Sequence, residues 1–338
     1  MSATVNPALD RRAVPRAAGD AAAFHAGLPG YAPTPVRDLA SVAAELGLGA
    51  VLLKDESDRL GLPAFKVLGA SWAVARALRE EPAAHTLVAA SAGNHGRAVA
   101  HVAAARGLRC RVFLPARSLA VRREAIAGEG AEVVVVDGGY EEAVARAAAA
   151  GAGPGVVEIA DVGPAGGPPE WVIDGYATLF AEATAQAPHD VVLVPVGVGS
   201  LAAAAARHGA AAGVPVIGVE PETAACLAAS LAAGTPTAVP TPGTTMAGLD
   251  CAEVSEAAWS SLRPGIAGVV TVSDAAAAGA KAELDRLGLR IGECGAATLA
   301  GLRALVAGDC GSAVLRDIAA LGPSARVLLI ATEGRTAG

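Results

Sequence analysis

Short apolar segments recur along the chain, and Ala-rich stretches of helical length, such as GRAVAHVAAARG and DAAAAGAKAELDRLG, separate most of them. Strands that alternate with helices in this way predict an α/β fold with parallel sheets. The near-continuous apolar character of the segments indicates sheets that are covered on both faces. The predicted strands lie at 50–55, 87–93, 110–115, 131–137, 191–197, 214–220, 268–273 and 326–332.

This number of strands over 338 residues predicts two open sheets in two domains. The Pro- and Gly-rich stretch DVGPAGGPPE at 161–170 is the candidate crossing between the domains. We expect a large domain formed by 20–67 together with 166–338, and a small domain formed by 68–165.

Charge and cysteine usage exclude several classes of protein. The formal net charge is -7 and there is no long basic run, which argues against a nucleic-acid or acidic-membrane partner. No apolar segment of signal-peptide type opens the chain and no run reaches the roughly 18–20 apolar residues of a membrane span, so we expect a soluble, cytoplasmic protein. The five cysteines are widely spaced without a CxxC pair, which predicts neither a disulfide framework nor a metal site.

Two predicted strands run into glycine-containing loops that open helices, and ligands of open α/β folds bind at such strand ends. In the second loop, Gly197, Gly199 and Ser200 lie between the strand VVLVPVG and an Ala-rich helix. Backbone amides at a helix start suit a phosphate, whereas the alternative is an ordinary turn with a Ser N-cap. The full dinucleotide fingerprint is absent, because no glycine stands three residues after Gly199.

The first loop, SAGNHG, places Ser91, Gly93, Asn94 and His95 at the entrance of the next helix. Exposed amides there suit a carboxylate, and the Asn94 side chain can donate a hydrogen bond to an oxygen. We assign His95 a structural role at the helix start rather than that of a general base.

Lys66 stands in the apolar run PAFKVLGA, although the chain has only three lysines. Lys281 lies on a helix and is expected to be solvated, and Lys54 is expected to form an ion pair with an acidic neighbour in LLKDES. Desolvation lowers the pKa of an amine towards roughly 7–8, and a neutral amine can attack an aldehyde. An aldehyde that carries a phosphate, pyridoxal phosphate, accounts for both Lys66 and the 197–200 loop. The alternative is a lysine whose stem is buried at a helix start while its amine reaches water.

The order of several motifs extends this interpretation to nearly the whole chain. From about Pro33 to Thr336 the chain resembles the tryptophan-synthase-type (fold type II) pyridoxal phosphate enzymes, and among them most resembles the diaminopropionate ammonia-lyases. The resemblance therefore implies the two-domain architecture of that fold type. The motifs that carry it are KDES, LGLPAFK, SAGNHG, VGVGS, VEPETAACLAAS, TTMAGLDC, GECGAAT and TEGRT.

The resemblance implies a role for each matching residue. Lys66 joins the coenzyme aldehyde, and the neutral hydroxyl expected beside the pyridine nitrogen favours β-elimination over racemisation or transamination. In the implied reaction the substrate amine displaces Lys66, the freed lysine takes the α-proton, the β-substituent leaves, and hydrolysis gives a keto acid and ammonia. The other implied contacts are Asn94 with the phenolic oxygen; Gly197, Val198, Gly199 and Ser200 with the phosphate; Ser91, Ala92, Gly93, Asn94 and His95 with the substrate carboxylate; Glu293 near the ring; and Thr332 or Thr336 with the pyridine nitrogen.

Two positions bear on the substrate. Asp161 falls where the family has a catalytic aspartate, but the segment that follows it is shorter here. Ala92 stands where the family's TDGNHG loop has an aspartate that is associated with the D-isomer. Because alanine cannot take a proton, we expect action on L-configured substrates only, or on a different β-substituted amino acid.

Other activities remain open at this stage. The SAGNH loop is typical of L-threonine and L-serine dehydratases, and a β-replacement enzyme would use the same coenzyme. A non-catalytic effector-binding module, with a structural Lys66, is the alternative from another class. The resemblance further implies a homodimer that acts on a small amino acid; a monovalent cation site has no legible ligand set.

Overall fold

The structure is a computed structural model that describes residues 2–308 and 313–335. Thr336 and Cys310 therefore lie outside the described residues. The strands in the described part are β1 (Ala3–Val5), β2 (Val36–Asp38), β3 (Ala50–Asp55), β4 (Thr86–Ala90), β5 (Arg109–Pro115), β6 (Glu132–Val136), β7 (Val156–Glu158), β8 (Val191–Pro195), β9 (Val216–Pro221), β10 (Gly268–Val272) and β11 (Arg326–Ala331).

Helices connect most of these strands, as the alternating pattern predicts. Two parallel strands need such a crossover because the end of the first strand and the start of the second lie at opposite ends of the sheet. The helices are α1 (Ala21–Ala26), α2 (Ala40–Leu46), α3 (Lys66–Glu80), α4 (Asn94–Ala105), α5 (Ala120–Gly128), α6 (Tyr140–Gly151), α7 (Gly167–Gly175), α8 (Ala177–Gln186), α9 (Ser200–Ala212), α10 (Cys226–Ala233), α11 (Glu256–Gly265), α12 (Asp274–Arg286), α13 (Glu293–Ala307) and α14 (Ala313–Ile318).

The strands form two sheets, which confirms the predicted α/β class. The larger sheet has the order β1-β10-β9-β8-β11-β3-β2 and the smaller the order β6-β5-β4-β7. The smaller sheet lies wholly within 68–165, the range expected for the small domain; that division itself stays a prediction. All eight predicted strands are present, to within a few residues at their ends.

The sheets are parallel, as predicted, except at the two edges of the larger sheet. There β1 pairs with β10, and β2 with β3, in antiparallel fashion. Each of these edge strands has three residues that are half-buried or exposed, so neither produces an apolar run that the sequence could reveal. The strand β7 was not predicted either, because it too has only three residues and all of them are half-buried.

The central strands are buried on both faces, and alternate residues enter different cores. Val51 and Leu53 of β3 pack in one apolar cluster, whereas Leu52 between them packs in the other. This period of two follows from the pleat of a strand. The strand ends that lead into 91–95, 197–200 and 332–334 are carboxyl ends of parallel strands. The fold therefore gathers the predicted binding loops at the ends where ligands of such sheets bind. None of the described helices is both long and apolar enough to cross a membrane.

A buried charge network fixes the segment between β3 and α3. Lys54 donates to Glu182 Oε2 at 2.7 Å, so its predicted ion pair exists but with a residue of α8 instead of a sequence neighbour. Arg59 reaches Glu182 Oε1 at 2.7 Å and Glu56 Oε1 at 2.6 Å, and it is only 1% exposed. Two cations and two carboxylates thus balance in the interior, and the chain that leads to Lys66 is held against α8.

Replacement of Glu182 by alanine should strongly destabilise the protein. Lys54 and Arg59 would then share Glu56 as their remaining carboxylate partner in this network, and breaking a buried ion pair costs about 3–5 kcal/mol. Urea unfolding followed by tryptophan fluorescence measures the effect. Glu45→Ala removes an exposed helix carboxylate that pairs with Arg303, and this control should leave the unfolding midpoint unchanged. Equal midpoints for the two variants would contradict a stabilising role for the network.

Candidate active site

Lys66 is the first residue of α3, and its amine lies between the ends of the two sheets. Lys66 Nζ donates to Asp161 Oδ2 at 3.0 Å, and Asp161 follows β7 of the smaller sheet. The rings of Phe65 and Tyr176 flank the amine, with centroids 5.5 and 5.9 Å from Nζ. The lysine side chain is 21% exposed. A reactive amine with an adjacent carboxylate and aromatic walls is an arrangement suited to covalent chemistry.

The expectation that desolvation alone lowers the pKa of Lys66 is wrong for this geometry. Burial does act in that direction, but Tyr176 and Asp161 outweigh it, and the pKa lies above its ordinary value. Burial also raises the pKa of Tyr176 to about 12, so its phenol stays neutral near pH 7. The carboxylate of Asp161 is therefore the charge that keeps the free lysine protonated.

Asp161 is ionised in this setting. Burial alone would raise its pKa, but His95 and Lys66 hold it at about 2. His95 Nδ1 lies 3.8 Å from Asp161 Oδ2, and its Nε2 lies 2.8 Å from the carbonyl oxygen of Ile159. Burial lowers the pKa of His95, while the nearby Asp161 acts in the opposite direction. His95 thus connects the start of α4 to the segment that carries Asp161, and the structural role expected for it at the helix start stays a prediction.

The 197–200 loop requires glycine for steric reasons. Gly199 has a φ of 94°, and a Cβ there would come 2.7 Å from Leu262 Cδ1. A Cβ on Gly197 would come 2.7 Å from the carbonyl oxygen of Gly248. Helix α9 begins at Ser200 with Gly199 at the cap, so the alternative of a Ser N-cap is wrong; Ser200 Oγ instead donates to the carbonyl oxygen of Asp161 at 3.1 Å. Because the first amides of a helix lack intrahelical partners, this loop presents them to an anion.

The SAGNHG loop leads into α4, which begins at Asn94. Gly93 N donates to Ser91 Oγ at 3.2 Å, which closes the turn locally. A Cβ on Gly96 would come 2.3 Å from the carbonyl oxygen of Ser91, so a larger residue would push the loop away from the helix. Asn94 Nδ2 donates to Glu333 Oε2 at 2.8 Å, which joins the smaller sheet to the end of β11.

Thr332 and Glu293, two further residues predicted for the site, have different surroundings. Thr332, directly after β11, is 4% exposed, and its Oγ1 is a buried atom without a hydrogen-bond partner in the described part of the chain. Such an atom suits a ligand nitrogen. Glu293, expected near the ring, accepts from Lys281 Nζ at 2.5 Å. Lys281 is thus paired, whereas the sequence led us to expect a solvated amine.

Three residues at the site were missed in the sequence, although two of them, Cys251 and Glu333, belong to motifs that carry the family resemblance. Tyr176 closes EWVIDGY and has a buried hydroxyl without a partner among the described residues. Cys251 ends TTMAGLDC, and burial raises the pKa of its thiol to about 12. Glu333 lies in TEGRT. Their positions depend on the packing of distant segments, which the spacing within one motif does not reveal.

The geometry fits pyridoxal phosphate. A glycine cradle at a helix start, an amide at Asn94, a buried free hydroxyl at Thr332 and the amine of Lys66 match the phosphate, phenol, pyridine and aldehyde of the coenzyme. No cluster of three or more His, Cys, Asp or Glu side chains among residues 2–308 and 313–335 could hold a metal ion.

Known proteins provide an independent comparison. The family model described as "Pyridoxal-phosphate dependent enzyme" matches residues 28–332. A diaminopropionate ammonia-lyase of Salmonella typhimurium is 34% identical over an alignment that covers 93% of this chain and 88% of the relative. The crystal structure of diaminopropionate ammonia-lyase from Escherichia coli in complex with D-serine superposes with a TM-score of 0.88 at 30% identity and covers 99% of this chain and 94% of that one.

A biosynthetic L-threonine dehydratase of Escherichia coli is 32% identical over 81% of this chain, but the match spans only 52% of that enzyme. The likeness to diaminopropionate ammonia-lyases thus extends over most of both chains, whereas the likeness to the dehydratase covers half of the relative. The predicted fold type, coenzyme and resemblance to a lyase are confirmed. The chain belongs to the family of pyridoxal-phosphate dependent enzymes.

Proposed function

We propose that this enzyme catalyses β-elimination from a β-substituted L-amino acid of the 2,3-diaminopropionate type, releasing ammonia and a 2-keto acid. The observation that carries the proposal is the ion pair between Lys66 and Asp161 beside the glycine cradle. The relatives that match over most of their length bear the name of this activity.

Each contact to the coenzyme has a residue that suits it. Lys66 would hold the aldehyde, Gly197, Val198, Gly199 and Ser200 the phosphate, Asn94 the phenolic oxygen, and Thr332 the pyridine nitrogen. Thr336 remains the alternative to Thr332, and Glu293 the residue expected near the ring. When bound, the coenzyme supplies an electron sink for the carbanion at Cα of the substrate. Thr332 offers a hydroxyl that carries no charge, which supports elimination over racemisation or transamination.

Lys66 is the proposed base. Once its nitrogen is released it stands 3.0 Å from Asp161, which accepts a hydrogen bond from it and limits its direction. Displaced from the coenzyme as a neutral amine, Lys66 would take the α-proton, and Asp161 would stabilise the resulting ammonium. Asp161 thereby acts on the reaction through the charge state of Lys66.

The charge around the amine favours a cationic β-substituent. The ionised Asp161 offers an electrostatic partner to a β-ammonium group, whereas a β-hydroxyl gains less from a carboxylate. The loop Ser91–His95 would bind the substrate carboxylate through its backbone amides. A dehydratase acting on L-threonine or L-serine is the second candidate, supported by the SAGNH sequence of that loop and by the threonine dehydratase relative.

The setting of the enzyme completes the proposal. We propose a small amino acid as the substrate, without a nucleic-acid or membrane partner, a homodimer as the assembly and the cytoplasm as the compartment; the resemblance supports the dimer. The large domain of 20–67 plus 166–338 would carry the coenzyme, and the small domain of 68–165 would carry the substrate loop.

Replacement of Lys66 by alanine should abolish keto-acid formation. The variant would lack both the amine that binds the coenzyme and the proposed base, so we expect a loss of at least about 10³-fold. The assay compares pyruvate from L-2,3-diaminopropionate with 2-ketobutyrate from L-threonine. Borohydride reduction followed by peptide mass spectrometry should locate the coenzyme on the peptide that contains Lys66. An adduct on another lysine would refute the assignment.

The Ala92 position predicts stereospecificity. The wild-type enzyme should process the L-enantiomer of diaminopropionate and leave the D-enantiomer, because the alanine methyl cannot accept a proton. Ala92→Asp places a carboxylate in the loop and should raise turnover of the D-enantiomer, while Ala92→Asn is the matched control without a base. Equal turnover of both enantiomers by the wild-type enzyme would contradict this prediction.

Asp161→Asn should shift the pH dependence of coenzyme uptake. In the wild-type protein Tyr176 and Asp161 raise the pKa of Lys66 against burial, so the amine becomes neutral only at high pH. Loss of the Asp161 charge removes one of these contributions, so the pKa of Lys66 should fall and the half-maximal rate of uptake by the apoprotein should move to lower pH by about one unit. Stopped-flow absorbance of coenzyme binding measures the rate. An unchanged profile would mean that Asp161 does not control the amine.

A further inference from the structure

Glu333 is a half-buried acidic residue to which no step above assigns a role. Its backbone is held on both sides: Gly292 N donates to the Glu333 carbonyl oxygen at 2.9 Å, and Gly334 N donates to the Pro63 carbonyl oxygen at 3.0 Å. One neighbouring segment leads to Lys66, and the other leads into α13. The position of the Glu333 side chain is therefore determined by the same backbone that positions the reactive lysine.

The carboxylate of Glu333 lies between Gly292 and the side-chain amide of Asn94. Its Oε2 accepts from Asn94 Nδ2 at 2.8 Å. Its Oε1 lies over Gly292, where a Cβ would come within 3.1 Å of that oxygen. The Cys294 thiol is its other neighbour, and none of the Lys, Arg or His side chains in the described part of the chain forms an ion pair with it. Glu333 thus accepts from Cys294 on α13 and from Asn94 at the start of α4, and Asn94 is the partner that comes from the side of the smaller sheet.

A carboxylate constrains the orientation of an amide in a way that another amide does not. An ionised carboxylate only accepts hydrogen bonds, so the NH₂ group of Asn94 must face Glu333 and its Oδ1 must point away. One N–H of that NH₂ group is used by Glu333, and the second is free to donate to another acceptor. A phenolic oxygen is such an acceptor, and with the opposite orientation Asn94 would present an oxygen to it and repel it.

We propose that Glu333 is a positioning residue that fixes the amide of Asn94 so that its second N–H faces the phenolic oxygen of the coenzyme. The inference rests on the coenzyme assignment and not on the identity of the amino acid substrate. Glu333 acts across the two sheets, because Asn94 begins α4 beside the smaller sheet and Glu333 follows β11 of the larger one. Burial and the nearby Glu293 raise the pKa of Glu333, so the hold on Asn94 should weaken as the pH falls.

A double-mutant cycle on coenzyme binding tests this role. We expect Glu333→Ala to weaken the affinity of the apoprotein for pyridoxal phosphate about tenfold, the usual scale for a lost hydrogen bond to a charged group. Asn94→Ala should weaken it at least as much. The double variant Asn94→Ala/Glu333→Ala should bind no worse than Asn94→Ala alone, because Glu333 acts through that amide. Glu45→Ala is the control variant, with unchanged affinity expected.

A second measurement separates positioning from a general loss of structure. The pH at which the visible coenzyme band changes reports the surroundings of the phenolic oxygen, and it should shift in Glu333→Ala and Asn94→Ala in the same direction but not in Glu45→Ala. Should Glu333→Ala fail to fold, the isosteric Glu333→Gln takes its place in the cycle. Its amide can also donate, so both orientations of Asn94 become possible and a smaller loss is expected. Wild-type affinity in the Glu333 variants, or additive losses, would overturn the proposal.

These outcomes are distinct from failure of the proposed reaction. Coenzyme affinity and the absorption band are measured without an amino acid. If no keto acid forms from diaminopropionate while the cycle shows coupling, the reaction is wrong and the role of Glu333 stands. If keto acid forms and the losses in the cycle are additive, the reaction stands and the proposed role of Glu333 is wrong.

Discussion

The ion pair between Lys66 and Asp161 joins the two sheets at the site on which the chemistry depends. Lys66 opens α3 after the last residues of a loop from β3, and Asp161 follows β7, so neither sheet alone supplies both groups. The pair sets the protonation of the amine, because burial and the carboxylate act on its pKa in opposite directions and the carboxylate, with the phenol of Tyr176 nearby, prevails. A change in the distance between the sheets would therefore change the basicity of the lysine as well as its position.

Rigid support surrounds this pair on each side. The buried charges of Lys54, Arg59 and Glu182 anchor the chain that leads to Lys66. The positive φ of Gly199 and its contact with Leu262 leave no room for a side chain in the phosphate cradle. Preorganisation of this kind places donors where a ligand needs them before it arrives, and it lowers the cost of ordering them on binding.

Specificity in this site depends on a few side chains around a common frame. The glycine cradle and the lysine suit any amino acid that joins the coenzyme, so they do not distinguish one leaving group from another. In the proposed reaction Asp161 would add a negative charge that suits a β-ammonium group, and Ala92 would leave the opposite face without a base. The shared glycine cradle and lysine thus account for the likeness to both ammonia-lyases and threonine dehydratases.

The sequence by itself determined the α/β class, the eight longer strands and the motifs around Lys66, Asn94 and Gly199, because period, glycine spacing and helix starts are local properties of the chain. It also pointed to the coenzyme, since a lone lysine in an apolar run and a phosphate loop are compatible with few ligands. Only the tertiary structure decided that Lys54 pairs with Glu182, that Asp161 raises the pKa of Lys66, and that Glu333 reaches Asn94 across 239 positions of sequence. Such contacts are set by the packing of distant segments, and local pattern carries no information about which distant charge a buried group will meet.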